Sequence, residues 1–245
     1  MSECCLRGFR WEAQPSGREA ILANNKCYVT GSNPQVAVMI IHDLYGWKFP
    51  NTRLLADHYA EEVNATVYVP DFFGGEELPL DILQEPSRWH ELDLPAFISR
   101  HSKKIREPDI IECAKALRST HQRTAAVGFC YGGWGVFRLG ERGKNLVDCI
   151  STAHPSFLEK TEIDKVGVPV QILAPEIDPM FTAELKAYSN EVIPTLGVAY
   201  DYQFFPSLEH AFAVRGNPAN PGERKGMERA KDSVVHWLKQ WLRDV

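Results

Sequence analysis

The stretch Gly128-Phe129-Cys130-Tyr131-Gly132-Gly133 follows an apolar β-forming run at 124–127, and it constrains the fold more than any other part of the chain. A strand-like run that breaks into Gly-x-Cys-x-Gly and resumes with helix-compatible residues has the form of a nucleophile elbow, a sharp strand-to-helix turn that holds a reactive side chain at its tip. At such a turn a side chain on either flanking glycine would collide with nearby backbone. The helix that follows points its N-terminus at the turn, where its N–H groups and dipole favour negative charge. With cysteine at the tip, that field favours the thiolate, the reactive form of the residue. The competing reading is a glycine-rich turn around a structural cysteine.

Two further residues fall in the order that such a turn requires. Asp178 follows the apolar run 168–174, in Ala174-Pro175-Glu176-Ile177-Asp178-Pro179, and His210 follows the β-like run 198–205, in Leu208-Glu209-His210-Ala211-Phe212. Nucleophile, acid and histidine in that order, each on a loop after a successive strand, is the arrangement of the α/β-hydrolase triad. Glu176 is the nearest rival to Asp178 for the acid. The rest of the pattern agrees with an α/β-hydrolase fold, a mostly parallel twisted sheet with helices on both faces. Strands are expected at Val36–Ile41, 65–69, 124–129, 147–152, 168–173 and 198–205, and helices at 52–63 and 223–243. The last helix carries Met227, Ala230, Val234, Leu238, Trp241 and Leu242 on one face, which suits packing on the sheet.

A chain of 245 residues is long enough for one such domain, and residues 1–245 are read as one. Residues 74–104, which lack strand signals and carry Trp89 and Phe97, read as a cap or pocket wall. A net charge of −5 argues against nucleic acid or an anionic membrane as partner. The N-terminal residues show no secretory pattern and no apolar run suffices to span a bilayer, so a cytoplasmic location is expected. Six cysteines without regular spacing fit free thiols in a reducing compartment, with Cys4 and Cys5 as two thiols on a mobile terminus. No dinucleotide fingerprint, phosphate-binding loop or metal-ligand spacing is present, so no cofactor and no metal are expected.

Four segments resemble the dienelactone hydrolase family, that of carboxymethylenebutenolidase: Ile41-His42-Asp43-Leu44-Tyr45-Gly46, Val69-Pro70-Asp71-Phe72-Phe73, the cysteine elbow itself, and His210-Ala211-Phe212-Ala213. The resemblance implies a Cys130-His210-Asp178 triad attacking a lactone carbonyl. It also implies an acidic residue on the early loop that activates the thiol. That place is held here by Asp43, where the family's best-studied members have glutamate. An arginine four residues after the histidine holds a substrate carboxylate in the family. That position is Val214 here, with Arg215 next along, and Arg88 and Arg100 in the cap are further candidates whose default is a solvated surface charge.

The expected chemistry is acyl transfer through a thioester, with the oxyanion held by the backbone N–H groups of Tyr131 and Leu44. His42 reads as a pocket residue or a support for its neighbours, not a second base. His154 and Ser156 end a strand and are expected to line the site. Tyr45, Trp47, Tyr131, Trp134 and Phe212 read equally as an aromatic wall for a flat substrate or as core. The expected partner is a small lactone or ester, acting on a monomer or homodimer. Rival readings on the same fold are a thioester or secondary-metabolite lactone as substrate, isomerisation or cyclisation without net hydrolysis, and non-catalytic binding.

Overall fold

The computed structural model describes residues 5–243. Regular structure starts earlier than the sequence pattern suggests, in a hairpin of β1 (Arg18–Leu22) and β2 (Asn25–Thr30). Its turn residues Ala23 and Asn24 have φ of 47° and 68°, the left-handed conformations that a tight two-residue hairpin requires. β1 is the edge strand and has no fully buried residue, and β2 joins the sheet antiparallel to β4.

The remaining strands are parallel, and their alternation sets the layers. In β3 (Val36–Ile41), Val36, Val38 and Ile40 enter one core layer while Ala37, Met39 and Ile41 enter the other. The strands β4 (Thr66–Pro70), β5 (Arg123–Phe129), β6 (Cys149–Ala153), β7 (Val170–Ile177) and β8 (Tyr200–Glu209) complete a sheet of order β1-β2-β4-β3-β5-β6-β7-β8. One layer is built with α1 (Pro50–Val63). The excursion before β5 holds α2 (Leu80–Leu83), a 3₁₀ turn (Pro86–Glu91) and α3 (Leu94–Arg100), and leads into α4 (Lys103–Thr120). Next come α5 (Gly132–Leu139), α6 (Lys160–Ile163), α7 (Ala183–Val192), the short α8 (Phe212–Arg215) and α9 (Pro221–Leu242). α1, α8 and α9 cover one face; α4, α5, α6 and α7 cover the other. In α9, Met227, Ala230, Val234, Leu238 and Leu242 are buried as their spacing predicts. Trp237 is buried beside them and donates its indole N–H to the Ile150 carbonyl at 3.0 Å, while Trp241 is only partly covered. None of the helices among the described residues is long and apolar enough to cross a membrane.

Two features of this topology place the site. The chain runs from β3 outward to β4 and then returns across β3 to β5, so the loops after β3 and β5 diverge and leave a crevice at the carboxyl ends of those strands. β7 and β8 run beyond their expected ends, with a register irregularity between Pro175 and Ile177. The His210 N–H then donates to the Ile177 carbonyl at 3.0 Å, which sets His210 beside Asp178.

Candidate active site

Cys130 sits immediately after β5 with φ of 49°, the left-handed conformation that a side chain rarely adopts. The glycines around it are obligatory: a Cβ on Gly128 would strike the Gly132 carbonyl, and one on Gly132 would strike the Ile41 carbonyl of β3. The turn is tied down by the Ser156 N–H donating to the Cys130 carbonyl at 2.7 Å and by the Gly133 N–H donating to the same oxygen at 2.9 Å. The thiol that results is fully buried, with Sγ 3.3 Å from the Ser156 hydroxyl oxygen.

Opposite the thiol, His210 presents Nε2, which lies 3.5 Å from the Ser156 hydroxyl oxygen. Its Nδ1–H donates to Asp178 Oδ1 at 2.9 Å. The same carboxylate oxygen accepts the N–H groups of Met180 and Phe181 at 2.8 and 3.0 Å, so the acid is fixed before it fixes the histidine. Glu176, the rival acid, is exposed and accepts from the Ser207 N–H at 2.6 Å. Burial works against ionising either reactive group. It is overcome at Cys130, where the Cys5 thiol, the His210 charge and Arg215 bring the thiol well below its ordinary value. At His210 burial is outweighed by the Cys130 charge and the Asp178 hydrogen bond, which raise the imidazole to about 10. Both shifts run in the direction of a thiolate–imidazolium pair.

Leu44 and Tyr131 lie on the loops after β3 and β5, and neither N–H makes a backbone hydrogen bond of those loops among the described residues. Asp43, on the first of these loops, is fully buried with Oδ1 accepting the Tyr45 N–H at 2.9 Å. Its Oδ2 lies 2.6 Å from Nε of Arg215, an ion pair with both side chains wholly shielded from solvent. Burial raises the Asp43 carboxyl to about 6 even though Arg215 pulls it down. Arg215 is thus no solvated surface charge. Arg88 and Arg100 remain at the surface, paired with Asp81 and Glu91 and with Glu76.

Cys5 overturns the expectation of a thiol on a mobile terminus. It is fully buried, with Sγ 3.6 Å from His210 Nε2, while Cys4 lies outside the described residues. The cause is Arg215, whose Nη1 donates to the carbonyls of Cys5 and Arg7 at 2.9 and 2.7 Å. The Tyr45 hydroxyl adds a bond to the Leu6 carbonyl at 2.8 Å, and the Phe9 N–H one to the Arg215 carbonyl at 2.9 Å. Residues 5–9 therefore form a strap over the site. No local sequence pattern marks it, because its anchors lie some two hundred residues away. On one side of the strap a cavity of ≈ 550 Å³ reaches His210, Phe212 and Arg215; on the other, one of ≈ 990 Å³ lies between the strap and Leu83, Trp89 and Leu94 of the excursion at 74–104. Although the sequence shows no metal-ligand spacing, the donor atoms of Cys5, Cys130 and His210 lie within 4.8 Å of one another.

The other expected residues divide. His154 is fully buried, its ring edge-on to His210 at 5.1 Å and to Phe212 at 5.7 Å; burial and the neighbouring His210 charge push its imidazole well below the ordinary value. Tyr45 lies under the Arg215 guanidinium at 4.4 Å. Tyr131 turns its hydroxyl to the His101 carbonyl at 2.5 Å, and Trp134 packs against it from the inside of α5. His42 spends both ring nitrogens on backbone, Nδ1 at 2.8 Å from the Asp43 carbonyl and Nε2 accepting the Phe72 N–H at 3.1 Å; burial lowers it to about 4. Trp47 packs on the other core layer, under Arg53.

The model of the dienelactone hydrolase family matches residues 25–242. The chain belongs to the dienelactone hydrolase family. It is 30% identical to Hydrolase tropI of Talaromyces stipitatus over 98% of this chain and 96% of that one. It is 28% identical to the carboxymethylenebutenolidase homolog of Homo sapiens over 97% and 96% of the two chains. Among solved structures, a dienelactone hydrolase-like promiscuous phosphotriesterase from metagenomic libraries superposes with a TM-score of 0.65 at 14% identity, over 92% of this chain and 98% of the other. That likeness concerns the α/β-hydrolase fold, and the family relationship makes this member a hydrolase.

Proposed function

We propose that this dienelactone hydrolase family member cleaves a small lactone or ester through Cys130, with a thioester intermediate. The observation that carries the reading is the buried elbow thiol facing an imidazole that Asp178 holds by a 2.9 Å hydrogen bond. The Cys130 thiolate attacks the carbonyl carbon, and the developing oxyanion takes hydrogen bonds from the Leu44 and Tyr131 N–H groups. Collapse expels the alkoxide, which takes the proton from His210 Nε2 and leaves an acyl-thioester. His210, now neutral, removes a proton from water, hydroxide attacks the thioester, and the acid leaves as the thiolate returns. Asp178 keeps Nδ1 protonated throughout, so that Nε2 alone exchanges protons.

The substrate class follows from Arg215. Its charge is matched by Asp43, and its Nη1 is occupied by the Cys5 and Arg7 carbonyls. Among the described residues only Nη2 is left without a partner, and a substrate carboxylate there would meet a guanidinium whose charge is already matched, which favours neutral lactones and esters over a carboxylated dienelactone. The test is hydrolysis of cis-dienelactone, a neutral aromatic lactone and p-nitrophenyl esters by wild type and Cys130→Ala, with product analysis in isotopic water. Turnover of the neutral substrates that disappears in the variant is expected. Turnover that survives in the variant overturns the mechanism, and product without incorporated label moves the activity to isomerisation or cyclisation.

A further inference from the structure

Acyl transfer as just described has no step for Cys5, yet its thiol lies fully buried beside the two groups that carry the chemistry. The donor atoms Cys5 Sγ, Cys130 Sγ and His210 Nε2 all lie within 4.8 Å of one another. Two donors on one tetrahedral zinc, sulfur at about 2.3 Å and nitrogen at about 2.1 Å, are separated by roughly 3.6 Å. The Cys5 Sγ to His210 Nε2 separation is 3.6 Å. The histidine is also oriented as a ligand: Asp178 accepts from Nδ1–H and so directs the Nε2 lone pair into the cluster, the outer support that metal-bound imidazoles usually have. A fourth position is bordered by the Ser156 hydroxyl, 3.3 Å from Cys130 Sγ and 3.5 Å from Nε2.

We propose that Cys5, Cys130 and His210 form a binding site for a thiophilic divalent cation, zinc foremost, and that the bound ion holds the enzyme inactive. The donor set decides the class of ion. Two sulfurs and an imidazole suit zinc, cadmium or cobalt, whereas magnesium and calcium require oxygen ligands. The nearby carboxylates are committed, Asp43 to Arg215 and Asp178 to His210. Charge closes as well: the cation meets two thiolates and a neutral imidazole, and Asp43 cancels Arg215. On binding, one proton leaves the Cys5 thiol and one leaves Nε2 of the imidazolium, both to solvent, and no electron is transferred. The cavity of ≈ 550 Å³ that reaches His210 offers an entry. Inhibition follows because the ion occupies both the nucleophile and its base; this half of the proposal rests on the hydrolytic reading above, while binding does not.

The experiment uses the full chain freed of metal. Added Co²⁺ is expected to give a thiolate-to-cobalt charge-transfer band, competed away by one equivalent of Zn²⁺. Cys5→Ala should weaken zinc binding by at least roughly tenfold, the lower end of what even loss of an outer partner costs. Cys149→Ser, at a buried cysteine outside the cluster, should leave the band intact. Zn²⁺ should slow both ester hydrolysis and alkylation of Cys130, each variant compared with its own metal-free rate. Absence of the cobalt band in wild type, or equal zinc affinity in wild type and Cys5→Ala, overturns the site; hydrolysis that rises with zinc overturns the inhibition. If Cys5→Ala does not fold, Cys5→Ser carries the same comparison. A cobalt band in a protein that hydrolyses none of the esters would sink the hydrolytic reading and leave the metal site standing.

Discussion

Cys130 and Cys149 are both fully buried, the first just beyond the carboxyl end of β5 and the second at the amino end of the neighbouring parallel strand β6. At Cys149, the first residue of β6, burial and the adjacent Asp148 push the thiol above its ordinary value. Cys113, under the β1–β2 hairpin, is likewise pushed up to about 12 by burial. At Cys130 the same burial is overridden, and the thiol falls well below that value. The difference is not exposure but what the loops at the carboxyl ends of β3, β5, β7 and β8, with the N-terminal strap, gather: an imidazole held by a carboxylate, a guanidinium and a second thiol. At the amino end Cys149 has beside it the Asp148 carboxylate, itself paired with Arg118 and Arg123, and that carboxylate raises the thiol instead of lowering it. A buried cysteine is inert by default, and a particular field makes it reactive.

The sharpest way to break that comparison is to remove each thiol. Cys130→Ala is expected to lower hydrolysis by roughly 10⁴-fold or more, the scale for losing a triad nucleophile. Cys149→Ala should keep the activity and lose about 1 kcal/mol of stability as a small core truncation. Comparable losses of kcat in the two variants would mean that the elbow thiol is structural. Asp178→Asn comes next. It keeps a side chain of the same shape but no longer fixes the Nδ1–H tautomer, and a fall in kcat of about 10⁴-fold is expected. If Glu176→Gln produced that fall and Asp178→Asn did not, the acid would have been misassigned.

The order Cys130, Asp178, His210 was legible in the chain because each follows a strand whose apolar run can be read locally, and the structure sets them together as that order implies. The parallel strands β3 to β8 were likewise readable from their apolar runs, whereas β2 was missed although Cys27 to Thr30 are buried. What escaped was everything fixed by distant partners. β1 is half exposed and so shows no alternation, and its turn uses Ala23 where a glycine or asparagine would have signalled it. Cys5 sits on a segment without periodicity, drawn in by a guanidinium two hundred residues away. Arg215 could be noticed as a neighbour of the family position but not oriented, since its direction depends on the turn at Ala211, φ 74°, and on the carboxylate of Asp43.

Alkylation by iodoacetamide sharpens the comparison without mutation. The reactive species is the thiolate, so its population is lost as pH falls through the Cys130 value, which lies well below 9.0, and the imidazolium that supports it is lost only as pH rises through about 10. Between those limits the Cys130 rate is expected to be flat with pH. Cys149, with its raised value, should stay unreactive across the same window in the folded protein. A Cys130 profile that climbs only near pH 9, as for an ordinary thiol, would remove the thiolate–imidazolium pair from the site.

Arg215 tests how much of the field is structural. Arg215→Met leaves Asp43 as a buried carboxylate without its ion-pair partner, a change that costs about 3–5 kcal/mol. Replacing both residues together, Asp43→Leu with Arg215→Met, should recover much of that loss, because neither charge is then stranded. Denaturant midpoints check both. In the single variant the alkylation profile of Cys130 should also move to higher pH, since one of the charges that lower the thiol is gone. A stable single variant with an unmoved profile would show that His210 and Cys5, and not Arg215, separate Cys130 from Cys149.

The smallest effect expected is that of Tyr45→Phe. The hydroxyl donates to the Leu6 carbonyl at 2.8 Å, while the ring lies 4.4 Å from the Arg215 guanidinium. Phenylalanine keeps the ring contact and loses one buried hydrogen bond, worth about 1 kcal/mol. That bond ties the strap, and therefore Cys5, to the loop after β3. Hydrogen exchange should show faster opening at residues 5–9 and no change at Cys149 or along β6. With Cys5 held less firmly against the site, the Cys130 alkylation profile should shift slightly upward in pH. An unchanged profile with a loosened strap would assign the whole difference between the two thiols to His210 and Arg215, and none of it to Cys5.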